Sequence, residues 1–451
     1  MSFRHAVVVV VFAIALAAGG DADAQIPASR PKPYPLPPPP AYEYSVALPG
    51  GEQEWIYVQA PWGDPTNKPL LLLFHGAYYD FKWNNAVKPL VNELEAIFDE
   101  AGSRGWYAVS LTGGEVVDPN MDKVGTYANP EVHERITAVI DEMIALYDIN
   151  PNKIYTLGYS MGAADAVNYA ARHVDPAGHM IAAAWSWSGA LSAVLEPGWP
   201  CHLFGCTPCN PTVCHFPWVS ASSIVVSDTT CDTGNPSTGY VSNESLAWNL
   251  EHAWLRTSTA SMGEIPDAVC TVPPIQQLTM NWADPARYTH MPNLGNDHYD
   301  PTAWDPELIC DYFAGKKLTL PTSATKTVAV EDTRYFWFRV NRGADDQTGS
   351  FGWNVSASQL DLTDVVNINH IWVDVDGGLD SPLDSSGDIT IDLTPGATTL
   401  IVESIANTAG VTVWLDGAPA TLHNDYDWLT ADSLILYAKG TSQSVWLIDQ
   451  P

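Results

Sequence analysis

Apolar runs and helical patterns follow one another in turn through residues 43–317. Short apolar or alternating runs predict β-strands at 54–59, 70–74, 106–111, 153–157, 180–187 and 222–227. Apolar residues at helical spacing predict α-helices at 87–101, 129–147, 163–172, 243–255 and 303–313. The run at 70–74 is apolar at every position, as expected for a parallel strand buried on both faces. The alternation predicts an α/β domain with a mostly parallel sheet between helices.

The pattern changes after residue 317. Residues 318–451 contain short alternating segments separated by turn residues, without a helical pattern, which predicts an accessory all-β domain folded as an antiparallel sandwich. Its tryptophans either fill the core, which is the favoured interpretation, or hold the chain on an insoluble polymer; they are Trp337, Trp353, Trp372, Trp414, Trp428 and Trp446. The segment 374–380 is rich in oxygen ligands but lacks full EF-hand spacing, so calcium is only a minor alternative.

Two segments precede the α/β domain. Residues 1–24 combine a basic start, an apolar run and a small-x-small site, which predicts a cleaved signal peptide and a secreted protein, extracellular or periplasmic. The apolar run is too short to span a bilayer as a helix, so the mature form is expected to have no membrane segment. Residues 25–42 are proline-rich and are interpreted as a linker.

Charge and cysteine content narrow the possible partners. The net charge of −32, from 20 basic and 52 acidic residues, disfavours nucleic acid and anionic membranes as partners. Seven cysteines in an exported chain predict disulfides with one thiol left over, although their pairing is open. Cys206 and Cys209 have the spacing of zinc ligands; because an exported loop favours oxidation, we predict no metal and no cofactor.

The motif Gly-Tyr-Ser-Met-Gly at 158–162 carries the candidate chemistry. It stands between a predicted strand and a predicted helix, which is the context of a nucleophile elbow. The turn needs small residues two positions before and after the serine, and Gly158 and Gly162 meet that need. Such a turn exposes the Ser160 hydroxyl at a helix N-terminus, where the helix dipole favours a developing negative charge.

A serine nucleophile needs a base and an acid, which follow it in the order Ser, acid, His. His298 lies on a predicted loop after the last strand and is the preferred base, with His290 as its rival. The acid is expected after strand 222–227. Asp232 is preferred because it lies further into that loop and can reach the imidazole; Asp228 stays open.

The oxyanion hole needs two backbone amides. Met161 follows the nucleophile and supplies one of them, while Ala77, after the small residue Gly76, supplies the other, with Tyr78 as the alternative donor. Aromatic residues near the predicted site suggest substrate contacts, and we select Tyr78, Tyr159 and Trp187, although core packing is an equal alternative for any one of them.

These residues together resemble the α/β-hydrolase superfamily. Phe-His-Gly-Ala at 74–77, the serine motif, the aspartate loop and Asn-Asp-His at 296–298 are similar to secreted esterases of the polyhydroxybutyrate-depolymerase and feruloyl-esterase kind. The Ser-Met-Gly ending also resembles cutinase-like polyesterases. The resemblance implies an α/β-hydrolase fold, a metal-free acyl-enzyme mechanism and carboxylic ester substrates. Two departures leave the substrate open, namely Ala163, where many relatives have a further glycine, and the cysteine-rich insertion.

The resulting hypothesis is a secreted serine carboxylesterase with a Ser-His-Asp triad. Its substrate is a polyester, such as a polyhydroxyalkanoate or an aromatic polyester, or a plant-wall ester. A peptidase of the prolyl-oligopeptidase type shares the triad order and is a second possibility. A polymer-binding protein with a vestigial hydrolase domain is a third.

Overall fold

The computed structural model describes the ordered elements of the chain and part of the connections between them. The described residues are 42–75, 88–111, 116–118, 121–124, 130–159, 161–187, 208–210, 213–214, 246–258, 285–291, 305–344, 348–374, 382–383, 388–393, 399–403, 412–419, 434–436 and 444–449. Apart from Tyr42, the predicted signal peptide and linker lie outside these residues. Within the described ranges, no helix is both long and apolar enough to cross a membrane.

Among its described residues, the first part of the chain contains one large sheet and four helices. Its strands are β1 (Tyr42–Ala47), β2 (Gln53–Gln59), β3 (Lys68–Phe74), β4 (Tyr107–Leu111), β5 (Val116–Asp118), β6 (Met121–Val124), β7 (Ile149–Tyr159), β8 (Ala183–Trp187), β9 (Pro208–Asn210), β10 (Val213–Cys214), β11 (Trp254–Ser258) and β12 (Tyr288–Met291). Its helices are α1 (Lys88–Ser103), α2 (Pro130–Leu146), α3 (Met161–Arg172) and α4 (Pro306–Phe313), with 3-10 turns at Ala247–His252 and Pro285–Arg287.

The large sheet has eight strands in the order β1-β2-β4-β3-β7-β8-β11-β12. The two β1–β2 and β2–β4 pairings are antiparallel, and every pairing from β4 to β12 is parallel. The predicted mostly parallel sheet is therefore confirmed. Two separate hairpins, β5–β6 and β9–β10, lie outside this sheet.

Both faces of the sheet are covered by helices. Along β3, Leu70, Leu72 and Phe74 face the core that contains α2 and α3, while Leu71 and Leu73 face the core that contains α1 and α4. All five side chains are at most 2% exposed. A run without a polar position is stable here because alternate residues of a strand enter opposite cores.

Helix ends follow local sequence signals. Pro130, predicted at the first turn of a helix, is the first residue of α2. In α4 the Asp305 carboxylate accepts hydrogen bonds from the amides of Glu307 and Leu308 at 3.0 and 3.2 Å, and Pro306 takes the first helical position. These contacts satisfy amides that have no partner inside the helix.

The predicted helix at 243–255 is confirmed only over residues 246–252, mostly as a 3-10 helix, and is wrong from residue 254, where β11 begins. Residues 247–252 form a 3-10 turn, and the chain then enters strand β11. Leu246, Leu250 and Ala253 have helical spacing and are buried, which explains the prediction. The strand forms instead because β11 pairs with β8 on one side and β12 on the other, so tertiary pairing overrides the local pattern. The sequence pattern also did not reveal β12.

The C-terminal part contains strands only among its described residues. They are β13 (Ser323–Ala329), β14 (Arg334–Tyr335), β15 (Phe338–Arg342), β16 (Gly349–Ser356), β17 (Gln359–Val366), β18 (Ile368–Asp374), β19 (Ile389–Leu393), β20 (Thr399–Glu403), β21 (Thr412–Leu415), β22 (Ala418–Pro419), β23 (Leu434–Leu436) and β24 (Ser444–Asp449). One sheet has the order β13-β16-β17-β19-β24-β21-β22 and the other β14-β15-β18-β20-β23.

Residues of both C-terminal sheets share one hydrophobic core, which includes Phe338 of β15 and Phe351 of β16. The predicted purely antiparallel arrangement is wrong in two places, because β17–β19 and β18–β20 are parallel pairs. Trp337 and Trp353 are 7% and 2% exposed, as expected for core residues.

The two parts of the chain are joined by buried contacts, and Pro37–Pro451 forms one compact unit. The side-chain amide of Asn249 donates to the carbonyl of Val328 and accepts from its N–H, both at 2.8 Å. Val328 and Val330 belong to the same core as α2 and α3. The amide of Phe336 donates to the carbonyl of Val174 at 2.9 Å. The first strand of the C-terminal part therefore covers part of the core of the large sheet.

Candidate active site

The candidate site lies where β7 meets α3. β7 ends at Tyr159 and α3 begins at Met161, so a single residue connects the strand to the helix. That residue is Ser160, which lies outside the described residues. A one-residue connection between strand and helix is the geometry predicted for a nucleophile elbow.

Gly158 and Gly162 are required by close backbone packing. A Cβ on Gly158 would lie 1.9 Å from the carbonyl oxygen of Gly162 and 2.7 Å from the Cα of Ala163. A Cβ on Gly162 would lie 2.5 and 2.6 Å from the carbonyl oxygens of Phe74 and His75. The strand and the helix can approach this closely only because both positions lack a side chain.

The first turn of α3 is also fixed to the end of β3. Phe74 pairs with Gly158 in the sheet, and the amide of Gly162 donates to the carbonyl of His75 at 3.1 Å. His75 is 4% exposed, in accordance with a structural role. The segment that follows it contains Ala77 and Tyr78, which lie outside the described residues. The start of the predicted oxyanion loop is thus held against the helix that follows the nucleophile.

Met161 occupies the position expected for the other oxyanion donor. It is the first residue of α3, and the amides of a first helical turn have no acceptor within the helix. The N-terminus of α3 also carries the positive end of the helix dipole. An anion formed at this end of the helix would therefore be stabilised by both effects.

The predicted substrate contacts Tyr159 and Trp187 are almost completely buried. They are 3% and 2% exposed and belong to the hydrophobic core beneath α1 and α4. Trp187 stacks on Trp185 with ring centroids 5.4 Å apart, and the Trp185 indole N–H donates to the Ser258 hydroxyl at 3.0 Å. In the described contacts these aromatic rings support the sheet below the candidate nucleophile, and a contact with substrate stays a prediction.

Of the two candidate bases, only His290 is described. It lies in β12, half-buried, and its Nδ1 is 3.1 Å from the hydroxyl oxygen of Thr257 in β11. Burial lowers the pKa of His290. His298 lies outside the described residues, seven positions after β12 ends at Met291. It follows the last strand of the large sheet, as expected for the base.

The sheet order changes the reasoning about the acid. Asp232 and Asp228 were selected because they follow the predicted strand 222–227, but this segment lies outside the described residues. In the structure β8 pairs with β7 on one side and with β11 on the other. The strand that continues the sheet beyond β8 is therefore β11, which ends at Ser258. The choice between Asp232 and Asp228 stays a prediction.

The described residues contain no arranged metal ligands. Within these ranges, no group of three or more His, Cys, Asp or Glu side chains could hold a metal ion. Four cysteines lie close together in the sequence, at 201, 206, 209 and 214. Cys209 and Cys214 lie in the small β9–β10 hairpin, whereas Cys201 and Cys206 lie outside the described residues. Cys310 is a buried free thiol, and burial raises its pKa to about 12, so the protonated form is favoured.

Comparison with known proteins gives structural likenesses only. No family model and no curated protein matches the sequence. The chain is similar to acylaminoacyl peptidase of Pyrococcus horikoshii, with 12% identity over 63% of this chain and 43% of that chain and a TM-score of 0.42. It is also similar to Est1E of Butyrivibrio proteoclasticus (14% identity, 60% and 95% covered, TM-score 0.37) and to a ferulic acid esterase (14%, 61% and 96%, 0.40).

The chain spans less than half the length of the peptidase. At identities of 12–14%, these likenesses say nothing of this chain's activity. Because their TM-scores lie below 0.5, the functional conclusions below depend on this chain's own sheet order, turn and contacts.

Proposed function

We propose that this chain is a serine hydrolase of the α/β-hydrolase type that cleaves carboxylic esters. The observation that carries the proposal is the one-residue connection between β7 and α3, packed so closely that neither flanking glycine has room for a Cβ. Close packing of this kind has a clear purpose in a nucleophile elbow, where it forces the central side chain outward. A loop that matched the motif by chance would not need it.

In the proposed reaction the Ser160 hydroxyl attacks the ester carbonyl carbon while His298 takes its proton. The amides of Met161 and Ala77 stabilise the tetrahedral oxyanion, and its collapse expels the alcohol, protonated by His298. Water then attacks the acyl-enzyme with His298 again as base and releases the acid. A carboxylate orients the imidazole throughout.

Four carboxylates are candidates for the orienting acid. Asp232 and Asp228 come from the sequence pattern. The sheet order adds Glu264 and Asp267, which are the first acidic residues after β11. Because the carboxyl ends of parallel strands meet at one edge of a sheet, the chain leaves β11 at the same edge at which β7 ends. Single alanine variants of the four residues identify the acid as the one whose loss lowers turnover most.

A polyester or a plant-wall ester is the proposed substrate, and export by residues 1–24 would place the enzyme with such substrates. The two C-terminal sheets are proposed to be a β-sandwich. Their shared hydrophobic core supports that architecture. Insoluble-polymer binding by this region rests on its remaining tryptophans, of which Trp372 and Trp414 are partly exposed.

A fluorophosphonate probe tests the proposal directly, because it labels an activated serine. We expect labelling of the wild type and of the control Ser103→Ala, which changes an exposed serine at the end of α1. Ser160→Ala should abolish labelling. His298→Ala should abolish ester turnover, whereas His290→Ala should keep most of it. An unlabelled, folded wild type at neutral pH would reject the proposal in favour of a binding protein.

A further inference from the structure

Two basic side chains lie near the same aromatic ring where the end of α4 packs beside β11. The guanidinium carbon of Arg256 lies 4.1 Å from the ring centroid of Tyr312 and 4.8 Å from that of Trp185. The Lys316 ammonium lies 3.8 Å from the centroid of Trp254 and 5.5 Å from that of Tyr312. Tyr312 thus lies next to both cations. We call these five residues the cation–aromatic cluster.

The two cations of the cluster have no carboxylate partner among the described residues, although acidic residues outnumber basic ones by 52 to 20. Most other described arginines do pair with carboxylates: Arg104 with Glu100 and Asp311, Arg135 with Glu52 and Glu54, Arg172 with Glu331, and Arg342 with Asp332. In so acidic a chain, two neighbouring cations without a carboxylate partner among the described residues are suited to bind an anion from solution.

The surroundings of the cluster make these charges costly. Burial lowers the pKa of Arg256, and both burial and the positive charge of Arg256 lower the pKa of Lys316. Each cation therefore destabilises the other, and the aromatic faces compensate only in part. An anion between the two would remove the repulsion.

The guanidinium of Arg256 also carries more N–H donors than its one described hydrogen bond uses. The guanidinium of Arg256 lies over the rings of Tyr312 and Trp185, which are inclined at 76° to each other, and its Nε donates to the hydroxyl of Thr289 at 3.3 Å. Contact with two inclined rings and one hydrogen bond restricts the movement of the guanidinium, so less conformational entropy is lost when its remaining N–H groups bind an anion. A guanidinium with two free N–H groups matches an oxyanion in bidentate geometry.

We propose that Arg256 and Lys316 are the donors of a second binding site, which takes a compact oxyanion such as a phosphate, sulfate or carboxylate group. In the register of the sheet, Ser258 of β11 lies level with Trp187 of β8 and Tyr159 of β7. At a rise of about 3.3 Å per residue, Arg256 is about 7 Å and Trp254 about 13 Å below the level of the elbow. The site is therefore separate from the candidate nucleophile.

Equilibrium dialysis of the full chain with radiolabelled inorganic phosphate tests the site. The wild type should bind phosphate at one saturable site, and sulfate should displace it at constant ionic strength, whereas chloride should not. Lys316→Gln and Arg256→Gln should each weaken phosphate binding by at least about tenfold, because each removes a charge-assisted hydrogen bond.

Arg339→Gln is the matched control, since the guanidinium carbon of Arg339 lies 4.9 Å from the ring centroid of Trp372 and no other described cation lies over that ring. Its phosphate affinity should equal that of the wild type. Lys316→Gln keeps the test valid if Arg256→Gln fails to fold, because the Lys316 side chain is only partly buried. Absence of saturable binding by the wild type, or wild-type affinity in Lys316→Gln, would overturn the proposal. Loss of esterase activity in Ser160→Ala has no bearing on this result.

Discussion

The sharpest test of the candidate site is Gly158→Ala, because it adds one methyl group and leaves every proposed catalytic group unchanged. The new Cβ would lie 1.9 Å from the Gly162 carbonyl oxygen and 2.3 Å from its carbonyl carbon, and real Cβ atoms essentially never come within 3.0 Å of another heavy atom. Both atoms belong to the backbone of α3, so a side-chain rotation cannot relieve the contact.

The first turn of α3 must therefore move by about 1 Å or more relative to β7. That turn carries the amide of Met161, and a misplacement of about 1 Å at a reacting centre costs about a hundredfold in rate. We expect kcat/KM for a short aryl ester to fall by about two orders of magnitude, mainly through kcat. Overpacking should also lower the free energy of unfolding by about 1–3 kcal/mol.

Steady-state hydrolysis measures the rate, and circular dichroism verifies that the variant is folded. Gly50→Ala is the control, because no atom lies within 4 Å of its added Cβ. Gly162→Ala should behave like Gly158→Ala, since its Cβ would meet the carbonyl oxygens at the end of β3. If Gly158→Ala folds and keeps wild-type kcat/KM, the close packing at this turn has no part in catalysis and the proposed elbow is wrong.

Two further predictions concern the rest of the fold. Asn249→Ala should lower the free energy of unfolding by about 3 kcal/mol, because it leaves two buried backbone groups of Val328 without partners. Urea unfolding measures this loss, with the exposed residue change Asn354→Ala as the control. Equal unfolding midpoints of the two variants would contradict the prediction. Burial, followed by the charge of Arg172, lowers the pKa of His173 to about 3. The unfolded chain takes up this proton near pH 6.5, so stability should fall as the pH drops from about 6.5 toward 3, and His173→Gln should reduce that slope by about 1.4 kcal/mol per pH unit. An unchanged slope would show that His173 is not the group responsible.

Local sequence patterns predict an element well when the residues that require it are consecutive in the chain. The all-apolar run at 70–74 identified β3, because burial on both faces of a sheet removes any polar position. The glycines at 158 and 162 identified the turn between β7 and α3, because the steric demand of that turn lies within five consecutive residues. The structure confirms both the strand and the close glycine packing.

Contacts between distant segments could not be predicted in the same way. Asn249 bonds to a residue 79 positions later. Nothing in its neighbouring residues indicates that its side-chain amide bonds to the backbone N–H and carbonyl of Val328 in β13. The two cations of the cation–aromatic cluster lie 60 positions apart and meet only because α4 packs on the sheet beside β11. Sequence spacing contains no information on such pairs.

The contacts between the two parts of the chain also bear on the predicted accessory role of residues 318–451. A separable module would have a hydrated junction with the rest of the chain. Here Val328 and Val330 belong to the core of α2 and α3, and the amide of Phe336 donates to the carbonyl of Val174, two residues after α3 ends. The ion pair of Arg172 with Glu331 lies at the same junction. Removing the C-terminal part would therefore expose the end of the helix that begins beside Ser160.

The identity of the acid also depends on pairing between segments that are distant in the sequence. The sequence pattern predicts the acid after a strand at 222–227, which lies outside the described residues, whereas the strand that pairs with β8 beyond β7 is β11. Periodicity alone could not separate the two, because Leu246, Leu250 and Ala253 fit a helix as well as they fit the buried turn that precedes β11. The acid that orients the imidazole is expected on the loop after the strand that lies beside β12, and that strand is β11. Which strands pair is decided by contacts across the whole sheet and not by local periodicity. If Asp267→Ala or Glu264→Ala abolishes turnover while Asp232→Ala does not, sheet order rather than sequence order has identified the acid.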